Sequence, residues 1–244
     1  MKHILHSLIA VFLVLVLTSQ VYSPDSSNNS FLPGTRTDSL EIESDARTIV
    51  YTFAILDNIA APTWRITQEA FKEAEALGAD LVVLHLNTYG GEVSAADSIR
   101  TKLLNARMPV YVFIDDNAAS AGALIAIACD SIYMKPGGKI GAATVVNQTG
   151  EQVPDKYQSY MRATMRATAE AHGKDTIVSG SDTIISWHRD PAIAEAMVDP
   201  RLYVEGVSDT GQVLTFTASE AMIHGYCEGT AASIEEVISQ LGIE

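Results

Sequence analysis

Ser120 stands in Ala118-Ala119-Ser120-Ala121-Gly122, where a strand-like run over residues 110–114 and a short polar turn beginning Asp115-Asp116-Asn117 give way to an aliphatic run that ends at Cys129. A hydroxyl at such a joint sits at the strand's end, close to the unpaired N–H groups of a helix's first turn, which favour developing negative charge. That chemistry is nucleophilic attack on a carbonyl. The alternative is an N-cap serine that only starts a buried helix. A second turn of small residues, Asn87-Thr88-Tyr89-Gly90-Gly91, follows the apolar stretch over residues 81–86. Its glycine pair can offer backbone N–H groups to an oxygen and leaves room for an extended peptide, as an oxyanion hole requires.

A serine nucleophile needs a base. The histidines are His3, His6, His85, His172, His188 and His224, and none lies between Ser120 and residue 171. His85 falls inside an apolar strand and reads as a satisfied structural residue. Lysine can act as the base when burial among apolar groups removes its proton. Lys135, Lys139, Lys156 and Lys174 lie downstream, and spacing does not choose among them.

The positioning elements follow from the pattern. Residues 48–56 form a strand, and residues 62–77 carry Trp64, Ile66, Ala70, Phe71, Ala74 and Leu77 at helical spacing, with Gly78 as the cap. Residues 81–86 read as a strand covered on both faces. Residues 93–106 form an amphipathic helix. The Ser120 strand comes next, then a short strand over 131–134, a turn over 135–139 and a polar loop over 144–154. Residues 155–172 form a helix with Tyr157, Tyr160, Met161, Met165 and Ala169 along its apolar side, and residues 191–197 a helix that starts on proline. Residues 202–216 read as a hairpin around Asp209-Thr210-Gly211, and helices over 218–224 and 234–241 close the chain. Alternation of strand and helix predicts an α/β layered single domain with a largely parallel sheet. Both small-residue turns then open at the same sheet edge, where α/β proteins bind ligands.

Residues 1–23, with Lys2 and His3 before the uncharged apolar run over 8–17, read as a signal peptide or N-terminal anchor, which implies an exported protein, periplasmic or extracytoplasmic. Residues 24–47, rich in Ser, Asn and Asp, read as a flexible leader, and residues 48–244 as the folded domain. A formal charge of −14 argues against a nucleic-acid partner. Cys129 and Cys227 are the two cysteines. They are compatible with one disulfide or with buried free thiols, and no Cys or His spacing suggests a metal site. No cofactor is expected.

Four stretches in this order, Asn87-Thr88-Tyr89-Gly90-Gly91, Ala118-Ala119-Ser120-Ala121-Gly122, Ile140-Gly141-Ala142-Ala143, and Leu214-Thr215-Phe216-Thr217-Ala218-Ser219-Glu220-Ala221 with His224-Gly225, resemble the NfeD-type membrane-associated serine proteases of the ClpP/crotonase fold. The resemblance runs over residues 48–241. It implies the layered ClpP/crotonase-like fold and a Ser-Lys dyad. Ser120 would be the nucleophile, Lys156 the general base, and the backbone N–H groups of Gly90 or Gly91 and of Ala121 the oxyanion hole. It also implies serine endopeptidase activity on hydrophobic segments, stomatin-like membrane proteins as possible substrates, and homo-oligomers, dimers or larger. This chain has Asn87 and Tyr89 where the family commonly has Asp and Pro, and the second change alters the cleft wall. Family members often continue into membrane helices and a small barrel, whereas this sequence stops at Glu244, so a C-terminal membrane tether is not expected. The other readings are a non-proteolytic protein of the same fold that binds peptides or acts on acyl thioesters, and a structural partner of membrane proteins. Export disfavours the thioester reading, because acyl-CoA is cytosolic.

Overall fold

The computed structural model describes residues 47–179 and 182–243. The signal or anchor segment and nearly all of the expected leader, residues 1–46, lie outside the described residues. Strands β1 (Val50–Ile55), β2 (Leu81–Thr88), β3 (Val110–Ala119) and β4 (Ser131–Met134) are parallel neighbours in that order, the sheet's core. The crossovers are helices α1 (Ala61–Leu77), α2 (Val93–Leu104) and α3 (Ala121–Ile127). Strand β2 is apolar on both faces: Val82, Leu84 and Leu86 belong to the main core, and Leu81 and Val83 are buried on the opposite face, as in parallel sheets covered on both sides. Gly78 ends α1 in the left-handed conformation at φ 65°, with its N–H on the Ala74 and Glu75 carbonyls.

Strand β3 is longer than its apolar run. Asp115-Asp116-Asn117, which the sequence marks as a turn, continues the strand up to Ala119. Its first half pairs with β4, and its second half pairs with a short strand β5 (Lys139–Gly141), so β3 changes partner at its polar segment. Tertiary contacts make the polar residues acceptable there. Lys135 Nζ donates to Asp115 at 2.7 Å, His85 Nε2 lies 3.4 Å from the same carboxylate, and the Asn117 N–H donates to Asn87 Oδ1. His85 is thus satisfied, though half-buried rather than deep in the core.

Helix α4 (Asp155–Glu170) is followed by strands β6 (Lys174–Ser179) and β7 (Asp182–Trp187), which among the described residues pair only with each other. Helix α5 (Pro191–Ala196), strand β8 (Thr215–Thr217), helix α6 (Ala218–Ile223), strand β9 (Gly229–Thr230) and helix α7 (Ile234–Gln240) complete the order. Two expectations fail here. The hairpin expected over 202–216 is absent: that stretch has only a bridge between Val204 and Ser208, and Phe216 pairs antiparallel with Ile140 of β5. The hairpin of this region is β6–β7. On α4, Met161, Met165 and Ala169 are buried as expected, but Tyr157 and Tyr160 are exposed, and Gln158 takes the buried place.

Cys129 and Cys227 are both buried and free. Around the end of α3, fully buried Arg189 donates to the Cys129 and Asp130 carbonyls and to Glu228. Burial, reinforced by the Arg189 charge, holds His172 at a pKa of about 4, below its ordinary 6.5, while its Nε2 meets the Ile127 carbonyl at 2.7 Å. A histidine with a depressed folded-state pKa binds fewer protons than in the unfolded chain, so its contribution is present above 6.5 and is lost as pH falls toward 4. Lowering the pH through that window should cost about 2 kcal/mol at this site, or roughly 4–8 °C in Tm. His172→Gln, which keeps an N–H donor, should flatten that part of the melting-temperature profile. Parallel profiles for the two proteins would refute the assignment.

Candidate active site

The parallel pairing of β2 and β3 reaches Thr88 opposite Ala118 and so brings the two small-residue turns together. Ser120 adopts φ 56° and ψ −119°, a conformation that non-glycine residues rarely hold, and its side chain makes no capping hydrogen bond to α3. Its Oγ has no hydrogen-bond partner among the described residues. This excludes the N-cap explanation. Such strain costs about 1–3 kcal/mol and persists only where the surroundings enforce it. Here they do: every residue of α3 is buried, and Leu124, Ile125 and Ile127 alone contribute on the order of 5 kcal/mol of burial. The Ser120 N–H is fixed on the Gly141 carbonyl at 2.9 Å. The next residue, Ala142, is the other non-glycine with positive φ (50°) among the described residues, so one hydrogen bond joins the two strained turns.

Gly90 lies directly against the serine. A Cβ on Gly90 would come within 2.6 Å of Ser120 Cβ and 3.0 Å of its Oγ, and one on Gly122 would meet Thr88 Cγ2 at 2.6 Å. Buried Thr88 fixes the turn: its hydroxyl donates to the Asp57 carbonyl at 2.8 Å and accepts from the Gly90 N–H at 3.1 Å. The Gly90 carbonyl accepts from Ile59, and Gly91 bridges to Ile59. Gly90's N–H is therefore occupied, whereas those of Gly91 and Ala121 have no partner among the described residues. Of the three backbone donors named from the sequence, Gly91 and Ala121 are the two available to an oxygen.

The lysines are less converged. Lys135 is ion-paired to Asp115, which raises its pKa and holds the Asp115 carboxyl below the ordinary range. Lys139 Nζ donates to the Gly137 carbonyl, and Lys174 lies over the Trp187 ring. Lys156, in the first turn of α4, is exposed and sits 4.8 Å from the centre of the Tyr157 ring. None of the four is hydrogen-bonded to Ser120. Helix α4, which carries Lys156, is joined through Gln158 to the segment that follows β5. The side-chain amide of Gln158 accepts from the Val145 N–H and donates to the Val145 carbonyl, and Val145 is four residues from Gly141, an extended reach of about 14 Å. Asp155, its neighbour, is held by Arg201 at 2.7 Å. Arg201 also binds Asp199, keeping that carboxyl well below its ordinary range. Among the described residues no three His, Cys, Asp or Glu side chains gather to hold a metal.

A sequence model of the NfeD1b N-terminal domain matches residues 49–244. This chain belongs to the NfeD1b N-terminal domain family. The membrane protein NfeD1b of Bacillus subtilis is 33% identical over 196 residues, covering 80% of this chain and 41% of that protein. The membrane-bound protease PH1510 of Pyrococcus horikoshii is 26% identical over 203 residues, covering 80% and 40%. The chain thus spans about two fifths of the length of these curated relatives. Among solved structures, a serine-to-alanine mutant of the 1510-N membrane-bound stomatin-specific protease superposes with a TM-score of 0.65 at 26% identity, covering 80% of this chain and 85% of that one. Its lysine-to-alanine mutant in complex with a substrate peptide gives 0.64 at 26% identity, covering 80% of each. ClpP1 from Listeria monocytogenes, at 17% identity and a TM-score of 0.52 over 76% of this chain and 93% of that one, shares the fold. The NfeD1b domain is accordingly a ClpP-like α/β domain, as expected from its motifs.

Several positioning residues of this NfeD1b domain escaped sequence reasoning. Thr88, Ala142, Gln158 and Arg189 act through long-range partners, and none carries a local signal. Gly90 gives the sharpest test of the packing. Gly90→Ala should displace Ser120 and lower esterase or peptidase turnover about 100-fold. Gly78→Ala supplies the control, because its φ of 65° is also positive but nothing lies within 4 Å of the added Cβ. Equal effects on turnover from both variants would refute a specific contact at Gly90.

Proposed function

We propose that this NfeD1b domain is a serine endopeptidase of an exported or membrane-associated protein, with Ser120 as nucleophile and Lys156 as general base. The observation that carries the reading is Ser120 itself: strained, without a side-chain cap to α3, and packed against Gly90, with the N–H groups of Gly91 and Ala121 unpartnered among the described residues. Lys156 would take the Ser120 proton as Oγ attacks a peptide carbonyl. The oxyanion would be stabilised by those two donors, the amine would leave with the proton, and water would hydrolyse the acyl-enzyme. Similarity to the stomatin-specific protease supports peptide substrates and makes hydrophobic segments of stomatin-like membrane proteins the first candidates.

Self-association belongs to the same reading. Among the described residues no other strand pairs with the β6–β7 hairpin, and Val178, Ile184 and Ile185 are exposed on it, surface that a second copy would cover. A monomer in sedimentation velocity at micromolar concentration would contradict this part.

The test of function is to incubate the full chain with matched apolar and polar peptides and identify products by mass spectrometry. Cleavage inside the apolar peptides is expected. A second reading, a peptide-binding protein without hydrolysis, draws on the exposure of Lys156. Saturable peptide binding with no cleavage would favour it.

A further inference from the structure

Tyr89 is 82% exposed, between Thr88 and Gly90, which are both buried. Its hydroxyl has no hydrogen-bond partner and its ring no aromatic partner among the described residues, so folding does not account for it. Single exposed aromatics are common and usually mean nothing. Here the backbone on both sides is locked, by Thr88 on the Asp57 carbonyl and by the Gly90 carbonyl on Ile59, and Gly90 rests against Ser120. The chain therefore holds a large, stiff, amphipathic side chain one residue from the glycine that touches the serine. Such a ring offers contact area at little conformational cost.

From this placement we infer that Tyr89 is a specificity-determining residue that selects an aromatic or large aliphatic side chain near the scissile bond. The inference rests on the proposed peptide hydrolysis. Gly90 and Gly91 present no side chains, so a substrate can lie along them in extended form, and successive side chains then point to opposite sides. Only substrate residues of one parity meet the Tyr89 ring, and selection should follow an every-second-residue pattern.

The test uses the full-length Ser120→Ala protein, which cannot turn over, and a fluorescent apolar peptide with each position changed in turn to alanine. With Tyr89 present, one position, or positions two apart, should dominate binding. Tyr89→Ala should weaken the parent peptide 10- to 100-fold and remove the positional pattern, whereas Tyr89→Phe should stay within about 3-fold. Equal weakening of all peptides, no change, or no binding of any peptide would overturn the inference. Cleavage by the Ser120 protein is read separately. A positional pattern without cleavage keeps Tyr89 as the residue that selects a bound side chain but refutes hydrolysis, and with it a place beside a scissile bond, while cleavage whose preference ignores Tyr89→Ala refutes Tyr89 and leaves hydrolysis standing.

Discussion

Replacing Ser120 by alanine is expected to lower peptide hydrolysis by roughly 10⁴-fold or more while leaving the domain folded. The size follows from the role: without Oγ there is no acyl-enzyme, and only binding and the two backbone donors remain to assist water. The fold should survive because the Ser120 side chain contributes little to it. It makes no cap to α3, and Oγ has no partner among the described residues, whereas its backbone N–H, which alanine retains, holds Gly141. Alanine at φ 56° carries the same strain as serine, so the stability difference should stay within about 0.5 kcal/mol. Turnover of the purified variant, together with its melting temperature, checks both halves. Loss of activity with loss of fold would return Ser120 to a structural role.

Lys156→Ala should lower turnover by about 10² to 10⁴, the range for removal of a general base. Lys156→Arg should not restore activity, because a guanidinium cannot give up its proton. Lys135→Ala supplies the contrast: its ammonium is committed to Asp115, and its loss should affect packing near His85 rather than proton transfer. Exposure of Lys156 adds a condition. A lysine serves as a general base when apolar groups cover it, so a partner must bury Lys156. Tyr157, whose ring Lys156 already faces, and Tyr160, one turn further along α4, are each at least half exposed and would be covered together with Lys156 by an apolar peptide or a second copy. Asp155, the charge next to Lys156 in the chain, is already paired in a cluster with Arg162, Asp199 and Arg201. Activity that survives Lys156→Ala would assign the base elsewhere.

The core alternation of strand and helix was legible because the buried strands are nearly pure apolar runs, and the helices carry period and caps, as at Gly78. Ser120 and the glycine turn were legible as types of residue. Their contact was not, because the 2.6 Å approach at Gly90 depends on the register of β2 against β3, which no local pattern encodes. Asp115-Asp116-Asn117 read as a turn because strands rarely hold three polar residues. Lys135, His85 and Asn87 reverse that from a distance. The β6–β7 hairpin was missed for a related reason: its apolar residues fall on both faces, so period-2 alternation is lost. Over 202–216 the turn residues Asp209-Thr210-Gly211 were real cues without a partner strand, since Phe216 had already paired with Ile140. Lys156 was singled out by resemblance alone, and its exposure shows why spacing could not do it.

The central claim is that Ser120 is a nucleophile rather than the first residue of a buried helix. Fluorophosphonate labelling of the full chain, followed by peptide mapping, tests it directly. The account predicts a single covalent adduct on Ser120, suppressed by an apolar peptide and absent in Ser120→Ala. A folded chain that takes up no label at Ser120, with or without peptide, or takes it up at another hydroxyl, would contradict it.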